Sequence, residues 1–138
     1  MTELSEISQR VVAELEEQGW DNVYSLLNTV VEPTGDLNEL SLFRQALDQI
    51  VREKLGIITM EHFFPRDPQP LTTPQSLELI AALEDWFMYD LEDPHWTLKV
   101  GDILKTRLPI LNLTPQGLKQ SEAILHRRGY QWWRPRKT

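Results

Sequence analysis

The densest chemistry in the chain is Arg127-Arg128-Gly129-Tyr130-Gln131-Trp132-Trp133-Arg134-Pro135-Arg136-Lys137, which alternates cations with large aromatics. Guanidinium and ammonium groups neutralise phosphates, indole faces stack on exposed bases, and arginine does both. The same residues have an equally plain structural use. Trp132 and Trp133 can dock on the rest of the chain while Arg134 and Arg136 meet its carboxylates. The two uses are compatible, because one Trp can anchor while the charges stay exposed.

This segment belongs to a wider division of charge. The net charge of −7 combines an acidic body with a basic end. Residues 1–98 hold 5 Lys/Arg against 19 Asp/Glu, a balance of −14, and residues 99–138 hold 9 against 2, a balance of +7. Such asymmetry marks a polyanion-binding end, or a basic end that pairs with the acidic body within the chain or across a homodimer. The acidic body would repel a duplex at long range. It would also suit a basic partner, since carboxylates on helices imitate phosphate spacing.

Other chemistry is sparse. His62, His95 and His126 are dispersed, and none has the i, i+4 partner with an intervening Glu that a helical zinc site uses. Glu61-His62 and Asp93-Pro94-His95 are the one pair of segments that could meet as ligands, and their spacing does not require it. There is no Gly-x-Ser-x-Gly elbow and no Gly-rich phosphate loop. Glu84-Asp85 and Glu92-Asp93 are adjacent and point to different sides, so no acid/base couple is indicated. We therefore expect no enzyme, metal or cofactor; the one enzymatic candidate is a site under the Pro-rich stretch, flanked by His62 and His95. Absence of cysteine excludes disulfides and thiolate ligands. The first residues are acidic and no stretch approaches about 18 apolar residues, so neither a signal peptide nor a membrane span is expected, and a cytoplasmic location is the default.

The elements that must position these residues follow from periodicity. Leu4, Ile7, Val11 and Leu15 predict a first helix over about 4–18, ended by Gly19 with Trp20 folded back on it. Asp21 caps a second helix over 22–32, and Pro33-Thr34-Gly35 is a turn. Asp36 and Glu39 have capping-box spacing for a third helix that ends at Gly56. Ile57-Ile58-Thr59-Met60 reads as a strand, and Pro65, Pro68, Pro70 and Pro74 make the next segment a loop. Thr73 caps a fourth helix whose stripe of Leu77, Ile80, Leu83, Phe87 and Leu91 carries it to about residue 90. Trp96, Leu98 and Val100 alternate as a strand, Gly101-Asp102 is a turn, and a second strand or irregular segment reaches Leu108. Pro109 breaks it. Ile110–Leu113 is a short strand, and Thr114 with Pro115 starts a last helix that runs to Arg128. The chain length suits one domain, here residues 1–128, with 129–138 as a basic aromatic tail.

Three helices, then Leu47-x-x-x-Val51-x-x-x-Leu55-Gly56-Ile57-Ile58, then a strand ending in Leu113-Thr114-Pro115-Gln116-Gly117, resemble winged-helix regulators of the MarR/PadR kind. The resemblance implies a mainly α fold with a small β-hairpin (α+β). Its first wing strand follows the third helix, its second leads into the last helix, and about fifty residues including a helix are inserted between them. It implies a helix-turn-helix whose third helix is the recognition helix, exposing Arg44, Gln45, Gln49 and Arg52. Lys99, Lys105 and Arg107 would lie on or beside the wing, and Arg127, Arg128, Trp132, Arg134, Arg136 and Lys137 would add contacts to nucleic acid. The implied function is a non-enzymatic, DNA-associated transcription regulator, dimeric through its terminal helices. Glu39, Asp48 and Glu53 on that third helix would face phosphates unfavourably. The alternative is a protein-interaction module, an accessory subunit or acidic inhibitor that offers its acidic body to a basic partner.

Overall fold

The computed structural model describes residues 3–62, 66–99 and 105–134. Helix α1 (Glu6–Glu14) starts where the Ser5 hydroxyl accepts the Ser8 N–H. It is shorter than its periodicity suggests, because residues 15–18 form turns that lead to Gly19 at φ +83°. Trp20 does not fold back on the helix. Trp20–Asn22 is a strand, β1, paired antiparallel with Asn112–Ile110. Asn22, rather than Asp21, then caps α2 (Val23–Val30) by accepting the Ser25 N–H.

Helix α3 (Leu37–Arg52) is capped by Asp36, which accepts from Asn38, so the expected box with Glu39 does not form. Glu39 instead turns back to Thr34 and across to the indole N–H of Trp96. Leu40, Phe43, Ala46, Leu47, Ile50 and Val51 face inward at helical spacing and form the centre of the core. At the end of α3, Lys54 takes a left-handed φ of +59° and turns the chain into strand β2 (Gly56–Glu61).

A two-residue strand, β3 (Gln69–Pro70), pairs with the edge of β2 inside the stretch read as loop. An edge tolerates the missing N–H of proline. Helix α4 (Thr73–Ala81) begins one residue earlier than expected, with Thr72 and Gln75 forming a complete capping box. It also ends well before residue 90. A 3-10 turn (Leu83–Trp86) leads into β4 (Phe87–Asp90), which pairs antiparallel with β5 (His95–Leu98). Phe87 and Leu91 fit helical spacing, yet Phe87 and Tyr89 also alternate, and they stand opposite Leu98 and Trp96 in a two-stranded hairpin. The aromatic pairs across the strands decide the outcome: Tyr89 and Trp96 meet edge to face at 5.4 Å. The expected turn at Gly101-Asp102, with Val100, lies outside the described residues.

Strand β6 (Leu108–Leu113) runs straight through Pro109. Strand β1 covers only Ile110–Asn112, so Pro109 sits where β6 has a single hydrogen-bonded neighbour. Helix α5 (Pro115–Arg128) has the expected bounds, with Thr114 accepting the Gly117 N–H and Gly129 closing it at φ +88°.

The architecture is α+β, with five α-helices and small antiparallel sheets among the described residues. One sheet has the order β1-β6-β2-β3, and β4-β5 forms a separate pair. Gly56 stands opposite Leu113 and Glu61 opposite Leu108, so β2 and β6 are partners across the intervening β3–β5 segment. Helix α5 packs on α1, and α3 packs on both α1 and α4. Among the described residues no helix is long and apolar enough to cross a membrane.

Candidate functional site

The exposed side of α3 carries the four residues expected to read a ligand, and the fold engages most of them internally. Arg44 lies against the 3-10 turn and pairs with Glu84 at 3.1 Å. Arg52 pairs with Asp48 one helical turn back, at 2.8 Å. Gln49 is a strap for the start of the chain: its amide accepts from the Ser5 N–H and Ser8 hydroxyl and donates to the Glu3 carbonyl. Gln45 is exposed and bonds only Ser41 on its own helix. Leu37 and Leu42 stand out on the same helix at 73% and 42% exposure, where a monomeric helix surface would ordinarily be polar.

At the far end of the β2/β6 pair, ionic groups form a compact cluster. Glu61 is buried to 2% exposure, and its two oxygens are gripped by Arg66, with the Thr59 hydroxyl donating to Oε2 at 2.6 Å. Burial pushes this carboxyl up, but the Arg66 hydrogen bonds and charge together with Thr59 hold it below the ordinary carboxylate value. The Arg66 guanidinium lies 3.9 Å from the centre of the Trp20 ring, so it is fixed from both sides. Asp67 next to it accepts from the His62 backbone N–H, approaches the His62 ring at 3.1 Å, and binds Arg107. The His62 backbone bond leads, and with the His62 ring and the Arg107 charge it holds Asp67 below its usual value.

Arg107 also donates to the carbonyls of Met60 and Asp67, which makes it a tie between the loop and β2. Lys99 is exposed and lines, with Arg107, Met60 and Trp86, a cleft of about 280 Å³ between the hairpin and the β2/β6 end. Lys105 is exposed and engaged with a neighbour.

The tail turns back on the helices. Arg128 pairs with Glu6 at 2.6 Å, and the Trp132 indole N–H donates to the same carboxylate at 3.0 Å. Glu6 also pairs with Arg10, so one side chain of α1 gathers α5, the tail and its own helix. Burial raises the Glu6 carboxyl, and the bonds from Arg128, Trp132 and Arg10 outweigh it to leave it below its ordinary value. Gln131 donates to Glu14, and the Trp133 indole and Arg134 both donate to the Thr29 carbonyl at 3.1 Å. Arg127 is exposed and reaches only Gln9, at 3.5 Å. Arg136 and Lys137 lie outside the described residues. Trp132 and Trp133 rest against the apolar core, and Arg128 covers the Trp132 ring at 4.3 Å.

The structure thus brings Arg128, Trp132 and Arg134 together on α1 and α2. It separates them from Arg44 and Arg52 on α3 and from Arg107 on the loop. Among the described residues no three His, Asp or Glu side chains converge to hold a metal. His62 turns to Asp67, while His95 turns to Asp93 and the edge of Tyr24. The Glu61–Arg66–Trp20 cluster was not singled out from the sequence. The signal for it was faint: a carboxylate at the end of a strand and an arginine five residues on, joined to an aromatic forty residues away. Comparison of the chain with protein-family models, curated proteins and solved structures finds no match.

Proposed function

We propose that the chain is a winged-helix-like binding module that engages a basic protein partner through the outer face of α3. The element order α1-β1-α2-α3-β2-β6-α5, with sheet order β1-β6-β2 and antiparallel pairing throughout, supports the winged-helix reading. In that reading β2 and β6 are the wing strands, and β3 to β5 are an insertion that packs on α3. Architecture alone does not choose a ligand.

One observation carries the choice of partner: five of the arginines expected to meet phosphates are engaged by the chain's own acceptors. Arg44 is held by Glu84, Arg52 by Asp48, Arg107 by Asp67, Arg128 by Glu6, and Arg134 by the Thr29 carbonyl. A duplex approaching α3 would meet Asp48, Glu84 and Asp85 beside partly neutralised arginines. A basic surface would meet the same carboxylates together with exposed Leu37 and Leu42. Such a mix of apolar anchors within a polar rim is the usual anatomy of a protein interface.

The test is a pair of capture experiments from lysate with the intact chain and with Leu42→Glu. A protein retained by the first and lost by the second is expected, with no nucleic acid co-purifying. Recovery of nucleic acid without a protein, or saturable duplex binding that weakens steeply with salt, would overturn the reading. The duplex-binding alternative draws on Lys99 and Arg107, which share the cleft beside the β2/β6 end. It predicts that Lys99→Ala lowers the salt slope by about one. A homodimer through α1 and α5 is not part of the proposal, because those helices pack on each other within one chain.

A further inference from the structure

The outer face of the four-stranded sheet holds a cavity of about 270 Å³ that lies apart from the α3 face. Its walls come from three strands together with His62 and Arg66. The register explains the convergence. Asn22 stands opposite Ile110, Ile110 opposite Thr59, and Leu108 opposite Glu61, so alternate residues of β1, β6 and β2 point to one side. Trp20, two residues before Asn22, closes one end, and Arg66 lies across its ring.

The hydrogen-bonding atoms that remain open decide what fits. Both oxygens of Glu61 are occupied by Arg66 and Thr59, and the Asn22 side-chain oxygen accepts from Ser25. What is left is chiefly donors, and of the His62 ring Nδ1 is turned to Asp67 while Nε2 remains. The Trp20 indole N–H has no acceptor among the described residues, and the Asn22 amide NH2 has only a 3.5 Å approach to Asp21. Arg66 donates through Nε and Nη2, which leaves Nη1. Charge is already balanced here, since Glu61 offsets Arg66 and Asp67 offsets Arg107. A free anion therefore gains no surplus positive charge, and a cation finds no unpaired carboxylate.

We infer that this cavity binds a small, neutral, apolar-bodied molecule that presents a carbonyl or amide oxygen to these donors. Leu108 and Ile110 supply the apolar floor, and Trp20 supplies an aromatic wall. The volume falls just below the roughly 300–1,000 Å³ of sites for drug-sized ligands, which suits a single ring with one polar substituent. Pre-formed donors favour such an oxygen because its hydrogen bonds replace none that the protein already makes with itself.

Benzamide, benzoate and toluene share the ring and differ only in what it carries. They are titrated into the full chain while the Trp20 indole N–H resonance, assigned through Trp20→Phe, is followed by 15N NMR. Benzamide is expected to give a saturable shift with Kd about tenfold below those of benzoate and toluene, the worth of one good hydrogen bond. Ile110→Phe and Leu108→Phe fill the cavity from one strand, and whichever keeps wild-type thermal unfolding is expected to abolish the shift. Intermolecular NOEs from benzamide to the Ile110 and Leu108 methyls locate the ligand without any variant. Toluene binding as tightly as benzamide, benzoate binding more tightly, no saturable shift, or a shift without those NOEs would each overturn the inference.

Discussion

Replacing Gly117 with alanine tests the joint between β6 and α5, and the geometry sets its cost. A Cβ built on Gly117 lies 2.0 Å from the Leu55 carbonyl oxygen, 2.9 Å from its carbon and 3.0 Å from a Leu113 methyl. The carbonyl cannot swing away, because it accepts the Thr114 N–H at 3.0 Å. The neighbouring Lys54 carbonyl is likewise fixed by the Thr114 hydroxyl at 2.7 Å. Reaching an ordinary 3.4 Å contact requires α5 to retreat by about 1.4 Å, which strips the Thr114 cap from the Gly117 N–H. Overpacking costs about 1–3 kcal/mol, and a backbone-on-backbone clash belongs at the upper end. Helix propensity returns about 1 kcal/mol for Gly→Ala. The expected net loss is about 2 kcal/mol, or about 1 M in urea midpoint for an m-value of about 2 kcal/mol/M. Equilibrium urea unfolding by tryptophan fluorescence reads it, with Ala123→Gly as the control on the exposed side of the same helix, expected to lose about 1 kcal/mol. A Gly117→Ala protein as stable as wild type would mean that α5 does not sit on Leu55.

Three further outcomes follow from the contacts. Glu6→Gln removes the acceptor charge shared by Arg128, Trp132 and Arg10. It is expected to cost about 1 kcal/mol or less, as partly exposed pairs do, while tryptic cleavage after Arg128 accelerates several-fold; unchanged cleavage would show that Glu6 does not hold the tail. The Glu61 and Asp67 carboxyls lie below their ordinary values in the fold, so their stabilisation is present above the unfolded value and is lost as pH falls through the lowered folded value. Glu14 and Asp21 are raised, mainly by burial, so ionising them costs stability at neutral pH that returns as pH falls through their raised values. In a Glu61→Gln variant the loss of stability between about pH 5 and pH 3 is expected to be shallower than in wild type, and an unchanged acid limb in urea midpoints contradicts this. Asn28 clasps Trp96 through two 2.8 Å bonds, to its backbone N–H and C=O. Asn28→Ala is expected to cost about 2 kcal/mol and to speed hydrogen exchange at the Trp96 amide, whereas unaltered exchange would mean the hairpin holds without the clasp.

Local grammar made some elements legible and left others invisible. Helix α5 could be read to its bounds because Thr114, Pro115 and Gly129 each act within a turn of the backbone they terminate. Strand β2 was legible in its β-branched run after Gly56. Strand β1 was not: Trp20-Asp21-Asn22 has no strand composition, and it is extended because β6, ninety residues later, offers it an edge. The end of α4 is ambiguous in sequence because Phe87 and Leu91 continue the helical stripe while Phe87 and Tyr89 alternate, and only pairing with Leu98 and Trp96 selects the strand. The candidate sites divide in the same way. Residue type located the cations, but three of their acceptors are remote in sequence: Glu6 from Arg128, Asp67 from Arg107, Glu84 from Arg44. The Glu61–Arg66–Trp20 cluster depends on sheet register and had no local signature.

The charge division takes on a different meaning once those pairs are placed. Partly exposed ion pairs contribute little stability, so the tail clamp and the Arg44–Glu84 pair are weak reasons for the fold to persist. Their stronger effect is on the field outside. Each pair withdraws one cation from the surface potential together with one carboxylate, and the chain holds 21 Asp/Glu against 14 Lys/Arg, so the surplus that still faces solvent is anionic. Long-range attraction follows that surplus rather than the local composition of the tail. A polyanion must first overcome it and then prise arginines from their own partners, whereas a basic surface is drawn in and finds Leu37 and Leu42 already exposed on α3. On that ground residues 129–134 are a fastening of α1, α2 and α5, and the binding face we propose lies on α3.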